Sequence, residues 1–326
     1  MLIKDIKNTK IESIRDGYGK ALAELGDINE KVVVLDADVS SSTKTIYFAR
    51  KFPDRFFNVG IAEPGMVNTA VGFALEGMIP FANAFASLIC YRALEQIRTC
   101  VAYNDANVKI ISGYSGVSDF KDGPTHHTIF DIAIMRAMPN MTVLVAADSV
   151  EAGKMVKAVS EYNGPVYLRL SRADMPVIFD NDHEIIIGKG IKLREGNDLT
   201  LICSGTLMYR TLLAADALGK KGIDARVVEI HTIKPFDDEM ILNAAKETGA
   251  IVTIEEHNII GGLFSAVSEC IVQNKSVPVE PVGIRDAYAC TSLNVDSLFD
   301  YLGLTVENIT AAGEKAIKRK KKANNK

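Results

Sequence analysis

The sequence has no apolar run long enough to cross a bilayer as a helix, and its first residues, MLIKDIKNTK, lack the apolar centre of a signal peptide. Both absences set the expectation of a cytosolic chain. Charge of one sign is also lacking: 37 Lys and Arg stand against 41 Asp and Glu, a formal net charge of −4. No broad basic field is offered to nucleic acid. The five cysteines, Cys90, Cys100, Cys203, Cys270 and Cys290, include no CxxC pair, which reads as reduced, mostly buried thiols. The histidines show no HExxH, and neighbours such as His126 and His127 do not both face one ion, so no metal site is expected from this chain alone. There is no internal repeat and no low-complexity block. The one charge run, KRKKK at 318–322, reads as a solvated, frayed terminus, with contact to a polyanion as the alternative.

What is present is an ordinary globular composition, 48% hydrophobic and 24% charged, over 326 residues, enough for two domains with real cores. Short β-branched runs alternate with longer amphipathic stretches, which predicts an α/β fold of two doubly wound domains. In the first, a helix is expected over Ile11–Leu25, stopped by Gly26, then a strand over Lys31–Asp36. Helices are expected over Pro64–Leu75, Ala86–Tyr103 and Ser149–Glu161, and strands over Val108–Ser112, Met141–Val145 and Val166–Leu170. Between Ala173 and Asp198 the rhythm breaks, so residues 1–178 are assigned to a first domain and 179–197 to a linker. Residues 198–316 form a second α/β unit, and 317–326 a basic disordered tail. In the second unit, strands are expected over Leu199–Cys203, Ala225–Glu229 and Ala250–Glu255. Its helices are expected over Leu207–Lys221, Asp237–Glu247, Gly262–Gln273 and Thr305–Lys318.

The most informative stretch runs from Arg55 to Tyr91. It sets one carboxylate, Glu63, in a turn between a short apolar strand and a helix opening at Pro64. Phe85, Leu88 and Tyr91 follow at a spacing of three, which a helical turn places on one face. An acid at a strand end beside an apolar wall can hold a flat heteroaromatic ring. The wall stacks on the ring, and desolvation raises the acid's pKa, so that it keeps a proton it can give to a ring nitrogen. The alternative is a helix-start acid favoured by the macrodipole beside a core stripe.

Ligands in open parallel sheets bind beyond the carboxyl ends of the strands. Those loops hold Asp38 and Ser42, then Glu63, then the Phe85 series, then Asp122 and His126 within GYSGVSDFKDGPTHH, then Ser171 and Arg172. Each residue alone has an ordinary structural explanation. Their convergence at one sheet edge is the stronger signal.

GIAE, the AxFxxLxxY series, KDGPTHH followed by PNMTV, and LSR together resemble the pyrimidine-binding half of transketolase-type thiamine diphosphate enzymes. TIKPFD and EEHNIIGG are similar to that family's C-terminal domain, so the resemblance runs from about Ile11 to about Lys318. It implies that Glu63 is the acid on the aminopyrimidine ring nitrogen, helping the cofactor's own amino group to deprotonate the thiazolium carbon. Phe85, Leu88 and Tyr91 match the positions that cradle the pyrimidine, with Leu88 standing where full-length transketolases usually carry an aromatic. Asp38 matches an acid near the thiazolium. His126 matches a histidine that binds the sugar's first hydroxyl and carbonyl and assists proton transfer. Asp122 matches the acid that reads a hydroxyl configuration. Arg15, Ser42 and Arg172 match the group that grips the substrate's terminal anion.

Two positions depart from the family. Tyr114 stands twelve residues before His126, where relatives place a histidine near the anion, and this raises the alternative of a sulfonate terminus. Pro64 replaces a common glutamine, with little expected consequence. The family's GDG motif and its paired asparagines, which hold the diphosphate through magnesium, are missing, as is any GxxxxGK[ST] loop.

The resemblance therefore implies half an active site. Thiamine diphosphate and Mg2+ would be completed by a separate N-terminal subunit, in two copies of each chain with self-association across a two-fold. The leading reading is two-carbon ketol transfer from a ketose phosphate to an aldose phosphate. Alternatives are a split transketolase for a sulfosugar such as 6-deoxy-6-sulfofructose or for a branched pentose, a 2-oxo-acid dehydrogenase beta chain, and a non-catalytic scaffold half. Deoxyxylulose phosphate synthase is similar around Glu63 but is normally one long chain.

Overall fold

The computed structural model describes residues 2 and 6–324. Fourteen strands are named β1 (Ile11–Ser13), β2 (Val32–Asp36), β3 (Phe56–Asn58), β4 (Ile79–Phe85), β5 (Lys109–Gly113), β6 (Thr142–Val145), β7 (Val166–Arg169), β8 (Asp174–Pro176), β9 (Ile191–Arg194), β10 (Leu199–Ser204), β11 (Ala225–Glu229), β12 (Thr232–Lys234), β13 (Ile251–Asn258) and β14 (Val279–Ile284). They build a seven-stranded sheet in the order β12-β6-β7-β5-β4-β2-β3, a five-stranded sheet in the order β14-β13-β10-β11-β9, and a small pair β1-β8. Within the large sheet β2 to β7 run parallel, as the α/β alternation demands. Apolar layers on both sides run from one unit into the other: one joins Ile14 and Leu22 to Leu201 and Val227, the other joins Leu35 and Met66 to Ile202 and Val228.

Several expected elements shift for local reasons. The first helix covers Ile14–Ile28, because Ser13 caps it by accepting from the Asp16 amide, and the residues before it form β1. Gly26 does not stop that helix. It is there for packing, since a Cβ at Gly26 would lie 2.4 Å from the Phe52 ring. The single helix expected over Ala86–Tyr103 is broken at Ala93 into Ala86–Arg92, a short turn at Leu94–Gln96 and a π-helical segment Ile97–Ala102. The expected linker is not bare coil, for β9 lies within it and edges the second sheet antiparallel to β11.

The basic tail departs most from expectation. Instead of disorder from residue 317, one helix spans Val306–Asn324, and residues 325 and 326 lie outside the described residues. Two of its cations are anchored: Arg319 donates to the Val279 carbonyl at 3.0 Å and to Glu280 at 2.7 Å, and Lys320 donates to the carbonyls of Asp198 (3.0 Å) and Thr248 (2.7 Å). These contacts tie the run to the second unit, while Lys318, Lys321 and Lys322 stay exposed. Among the described residues no helix is long and apolar enough to cross a membrane.

The two units are joined by more than chain continuity. β12 leaves the second unit and pairs antiparallel with β6 at Thr232↔Leu144. Deeper in, Asp131 and Arg169 form a buried ion pair (Nε to Oδ2, 2.9 Å), and the Tyr167 hydroxyl donates to the same oxygen at 2.8 Å. Arg169 also donates to the carbonyls of Thr128 (3.2 Å) and Glu256 (3.0 Å), so one guanidinium holds β7, the 114–128 loop and β13 together. Breaking such a pair leaves an uncompensated buried charge, which costs about 3–5 kcal/mol. Asp131→Ala is therefore expected to lose roughly that much in denaturant unfolding. A loss below about 1 kcal/mol would show that the pair is not what fastens this joint.

Candidate active site

At and beyond the carboxyl ends of β2, β3, β4, β5 and β7 lie the turns and helix starts that carry every site residue expected from the sequence except Arg15, which sits on the helix Ile14–Ile28. At β2, the buried Asp36 fixes the turn by accepting from the Val39 amide (2.6 Å) and from the hydroxyls of Thr43 and Thr45 (both 2.8 Å). That turn carries Asp38 at φ +64°, exposed and accepting from Asn58 at 2.8 Å. Ser42 follows, and it is its carbonyl rather than its hydroxyl that engages a neighbour, accepting from Arg15 at 2.8 Å.

After β3, Glu63 opens the helix Glu63–Leu75, with Ala62 at the N-cap and Pro64 beside it in the first turn. Its side chain is only 2% exposed although its neighbours Ile61 and Ala62 face solvent. One contact is Arg92 Nη1 at 3.3 Å, and that arginine is half exposed. Arg92 is a site residue that the sequence reading missed. The available signal was a cation directly after Tyr91 on the helix carrying the apolar stripe.

Phe85, Leu88 and Tyr91 are each partly open, whereas Ala86, Ser87, Ile89 and Cys90 between them are buried. The stripe is thus the more open face of the segment, with Tyr91 also packed against the core. Tyr91 stacks on Phe130 (centroids 4.8 Å apart), and its hydroxyl is buried without a partner. Phe85 stacks on Tyr114 at 4.0 Å.

Tyr114 is the hub of the other end of this sheet edge. It adopts φ +59°, uncommon for a bulky side chain. Its hydroxyl accepts from Arg15 Nη1 at 2.9 Å, and its ring lies 5.0 Å from the Arg15 guanidinium carbon and 5.2 Å from that of Arg172. Arg172 in turn donates to the buried Asp119 at 3.0 Å and lies over Phe120. Asp119, also missed from the sequence, was one more acid in a glycine-rich loop with nothing to mark it. Burial, then the adjacent Asp122 charge, push its carboxyl up to about 6 against the pull of Arg172. Asp122 itself is exposed, and His126 is half-buried with Nδ1 3.1 Å from the Thr125 hydroxyl.

The residues therefore fall into two groups. Arg15, Ser42, Phe85, Tyr114 and Arg172 form one connected set, with Asp119, Asp122 and His126 at its margin. Glu63 with Arg92, and Tyr91 with Phe130, form the second. Phe85 belongs to the first by contact and to the second by its place in the stripe. Asp38 contacts Asn58 and touches neither set.

The loop bearing Tyr114, Asp119 and His126 is held from the second unit. Glu256 accepts from the Val117 amide and the Thr206 hydroxyl, both at 2.7 Å, and Gly116 turns above it at φ +65°. A Cβ at Gly116 would sit 2.0 Å from Glu256 Oε1. Gly116→Ala is expected to destabilise the isolated chain by about 1–3 kcal/mol, through backbone strain and a displaced buried carboxylate. At Gly72 a Cβ meets nothing within 4 Å, so Gly72→Ala, inside a helix, is expected to be neutral or stabilising by up to about 1 kcal/mol. Equal thermal shifts for the two variants would contradict the clamp.

Comparison with known proteins agrees with this architecture. The family model "transketolase, pyrimidine binding domain" matches residues 12–177, and "transketolase, C-terminal domain" matches residues 188–309. A Methanocaldococcus jannaschii protein named "Putative transketolase C-terminal section" is 44% identical over 91% of this chain and 94% of its own length. The 6-deoxy-6-sulfo-D-fructose transketolase subunit SqwH of Clostridium sp. (strain MSTE9) is 38% identical over 94% of this chain and 95% of its own. A solved "split gene transketolase, inactive beta4 tetramer" superposes with a TM-score of 0.89 at 43% identity, over 95% of this chain and 99% of that one. Matches of this extent over both units, on top of the sheet order and site loops above, establish that the chain belongs to the transketolase family.

Proposed function

We propose that this chain is the pyrimidine-binding subunit of a two-chain transketolase, moving a two-carbon ketol unit from a ketose phosphate to an aldose phosphate. One observation carries the reading: a buried carboxylate beside an open apolar stripe, on the same sheet edge as a two-arginine anion grip. The buried Glu63, the more open Phe85–Leu88–Tyr91 face and the unpartnered Tyr91 hydroxyl fit the aminopyrimidine end of thiamine diphosphate. Nothing in the sequence fits its diphosphate, so a partner subunit is assigned that group and its Mg2+. When bound, the cofactor supplies a nucleophilic carbon and an electron sink.

This chain's residues do the rest. Glu63 holds or gives the proton at the ring nitrogen. Phe85, Leu88 and Tyr91 exclude water from the pyrimidine. His126 and Asp122 bind the sugar's hydroxyls at the reacting end, and Asp38 lies toward the cofactor. Arg15 and Arg172 hold the far anion, positioned by Tyr114 and the Ser42 carbonyl.

A second reading keeps the reaction and changes the substrate. Tyr114 occupies Arg15, and Asp119 neutralises part of the charge on Arg172. Such a grip suits a singly charged terminal group, as in a sulfosugar, better than a phosphate dianion.

Glu63→Ala in the reconstituted enzyme is expected to lower ketol transfer by at least about 100-fold while the chains still co-elute. Preserved turnover would remove the catalytic assignment. The charge on Asp119 gives a pH test. Below about pH 6 Asp119 takes up a proton and Arg172 loses its counter-charge; above it the pair is neutralised. The KM ratio of wild type to Asp119→Asn for an anionic donor, in which the donor's own titration cancels, is expected to rise severalfold, roughly three- to tenfold, between pH 5 and 7.5. A flat ratio would show that Asp119 does not govern the grip.

A further inference from the structure

Away from the site, at the joint between the two units, four titratable side chains that no part of the reaction uses come together in the interior. Glu151 stands in the first turn of the helix Ser149–Glu161, His183 in the segment between the units, and Glu229 at the end of β11 with His231 two residues on. None is more than 2% exposed. One ligand-type atom from each of Glu151, His183 and Glu229 lies within 4.8 Å of the other two.

Their hydrogen bonding is incomplete in a particular way. Asp148, next to them, is satisfied by the amides of Glu151, Ile178 and Phe179. Glu151 accepts from the Ala147 amide at 2.7 Å through Oε2 and meets His183 Nε2 at 3.3 Å through Oε1. The His183 ring is fixed by stacking on Phe179 at 3.9 Å. Glu229, in contrast, receives no hydrogen bond from any nitrogen or hydroxyl donor, and its carboxylate lies within hydrogen-bonding reach of that of Glu151. His231 is similar: Nδ1 is 2.9 Å from the Thr232 hydroxyl, which fixes the ring, and Nε2 is buried without a partner. Two carboxylates with one unpaired, buried side by side, cost several kcal/mol unless a cation or a proton lies between them.

The geometry points to a structural divalent-metal site formed by Glu151, His183 and Glu229, with the buried and unpartnered His231 Nε2 as the candidate fourth nitrogen at the same joint. Mixed imidazole and carboxylate donors numbering at most four suit zinc; calcium and magnesium would demand six or more oxygens, or retained water, in an interior that offers neither. The outer contacts are of the kind that orient metal ligands: the Thr232 hydroxyl on His231 and the Ala147 amide on Glu151. Because the ligands come from both units and the segment between them, the ion would couple metal binding to docking of the second unit. Sequence spacing cannot reveal such a set, since 32 residues separate Glu151 from His183.

The competing arrangement is a single proton shared by Glu151 and Glu229, with no ion. Full-length chain stripped with chelator and dialysed is titrated with zinc chloride, reading bound zinc by elemental analysis and thermal stability in parallel. About one zinc per chain, with a rise in Tm, is expected for the wild type. Glu229→Gln, nearly isosteric, is expected to lose both the stoichiometric zinc and the Tm rise, and His183→Gln gives the same reading should the first variant fail to fold. Wild type that takes up no stoichiometric zinc, or variants that bind it as the wild type does, would overturn the proposal. A zinc-free Glu229→Gln chain more stable than zinc-free wild type, with no zinc uptake by either, would assign the shared proton instead.

Discussion

The Asp131–Arg169 ion pair is the constraint on which the rest of this structure depends. An arginine at the carboxyl end of a fully buried parallel strand cannot remain there without compensation. Here the compensation comes from three directions: the Asp131 carboxylate, the Thr128 carbonyl at the end of the site loop, and the Glu256 carbonyl of the second unit. Satisfying one buried cation thereby fixes the relative placement of two domains and one loop. The Glu256 side chain completes the arrangement by receiving the Val117 amide. The C-terminal unit is far from a passive appendage, because it sets the height of the loop that carries Tyr114, Asp119, Asp122 and His126.

The candidate site itself is built from pairs that neutralise one another before any ligand arrives. Glu63 faces Arg92, Arg172 faces Asp119, and Arg15 is shared between a tyrosine hydroxyl and a carbonyl. Such pre-pairing keeps long cationic side chains ordered, at the cost of attraction for a distant anion. The two groups of residues are linked through Phe85, whose ring is covered by Tyr114 on one side. A histidine at position 114 could not make both the stacking and the hydroxyl contact to Arg15 in the same way. That difference in local chemistry is where substrate choice within this family would be exercised.

Much of this was legible in the sequence, and for physical reasons. The α/β alternation showed the fold class because parallel strands buried on both faces read as apolar runs, and VVVLD and VYLRL are such runs. Glu63, Phe85 and Arg172 were legible because strand-end loops are where open sheets expose chemistry. The residues that were missed act across long sequence separations. Asp119 acquires meaning only when Arg172, 53 residues away, folds over it, and Glu256 only when Val117, 139 residues away, points an amide at it. The short β12 was missed for the same reason, since pairing with β6 depends on where the second unit docks. The ordered C-terminal helix was misread because a run of lysines looks solvated until carbonyl acceptors on the second unit are placed beside it.

We propose that this chain holds the pyrimidine and substrate-anion half of a thiamine diphosphate site and needs a second chain for the other half. The direct measurement is a titration of the purified chain with a family subunit that carries the GDG motif, at saturating thiamine diphosphate and magnesium, following ketol transfer. The expected result is no turnover by either chain alone and activity that saturates near equal amounts of the two. Turnover by this chain on its own, or none at any ratio although the two chains co-elute as a complex, would contradict it.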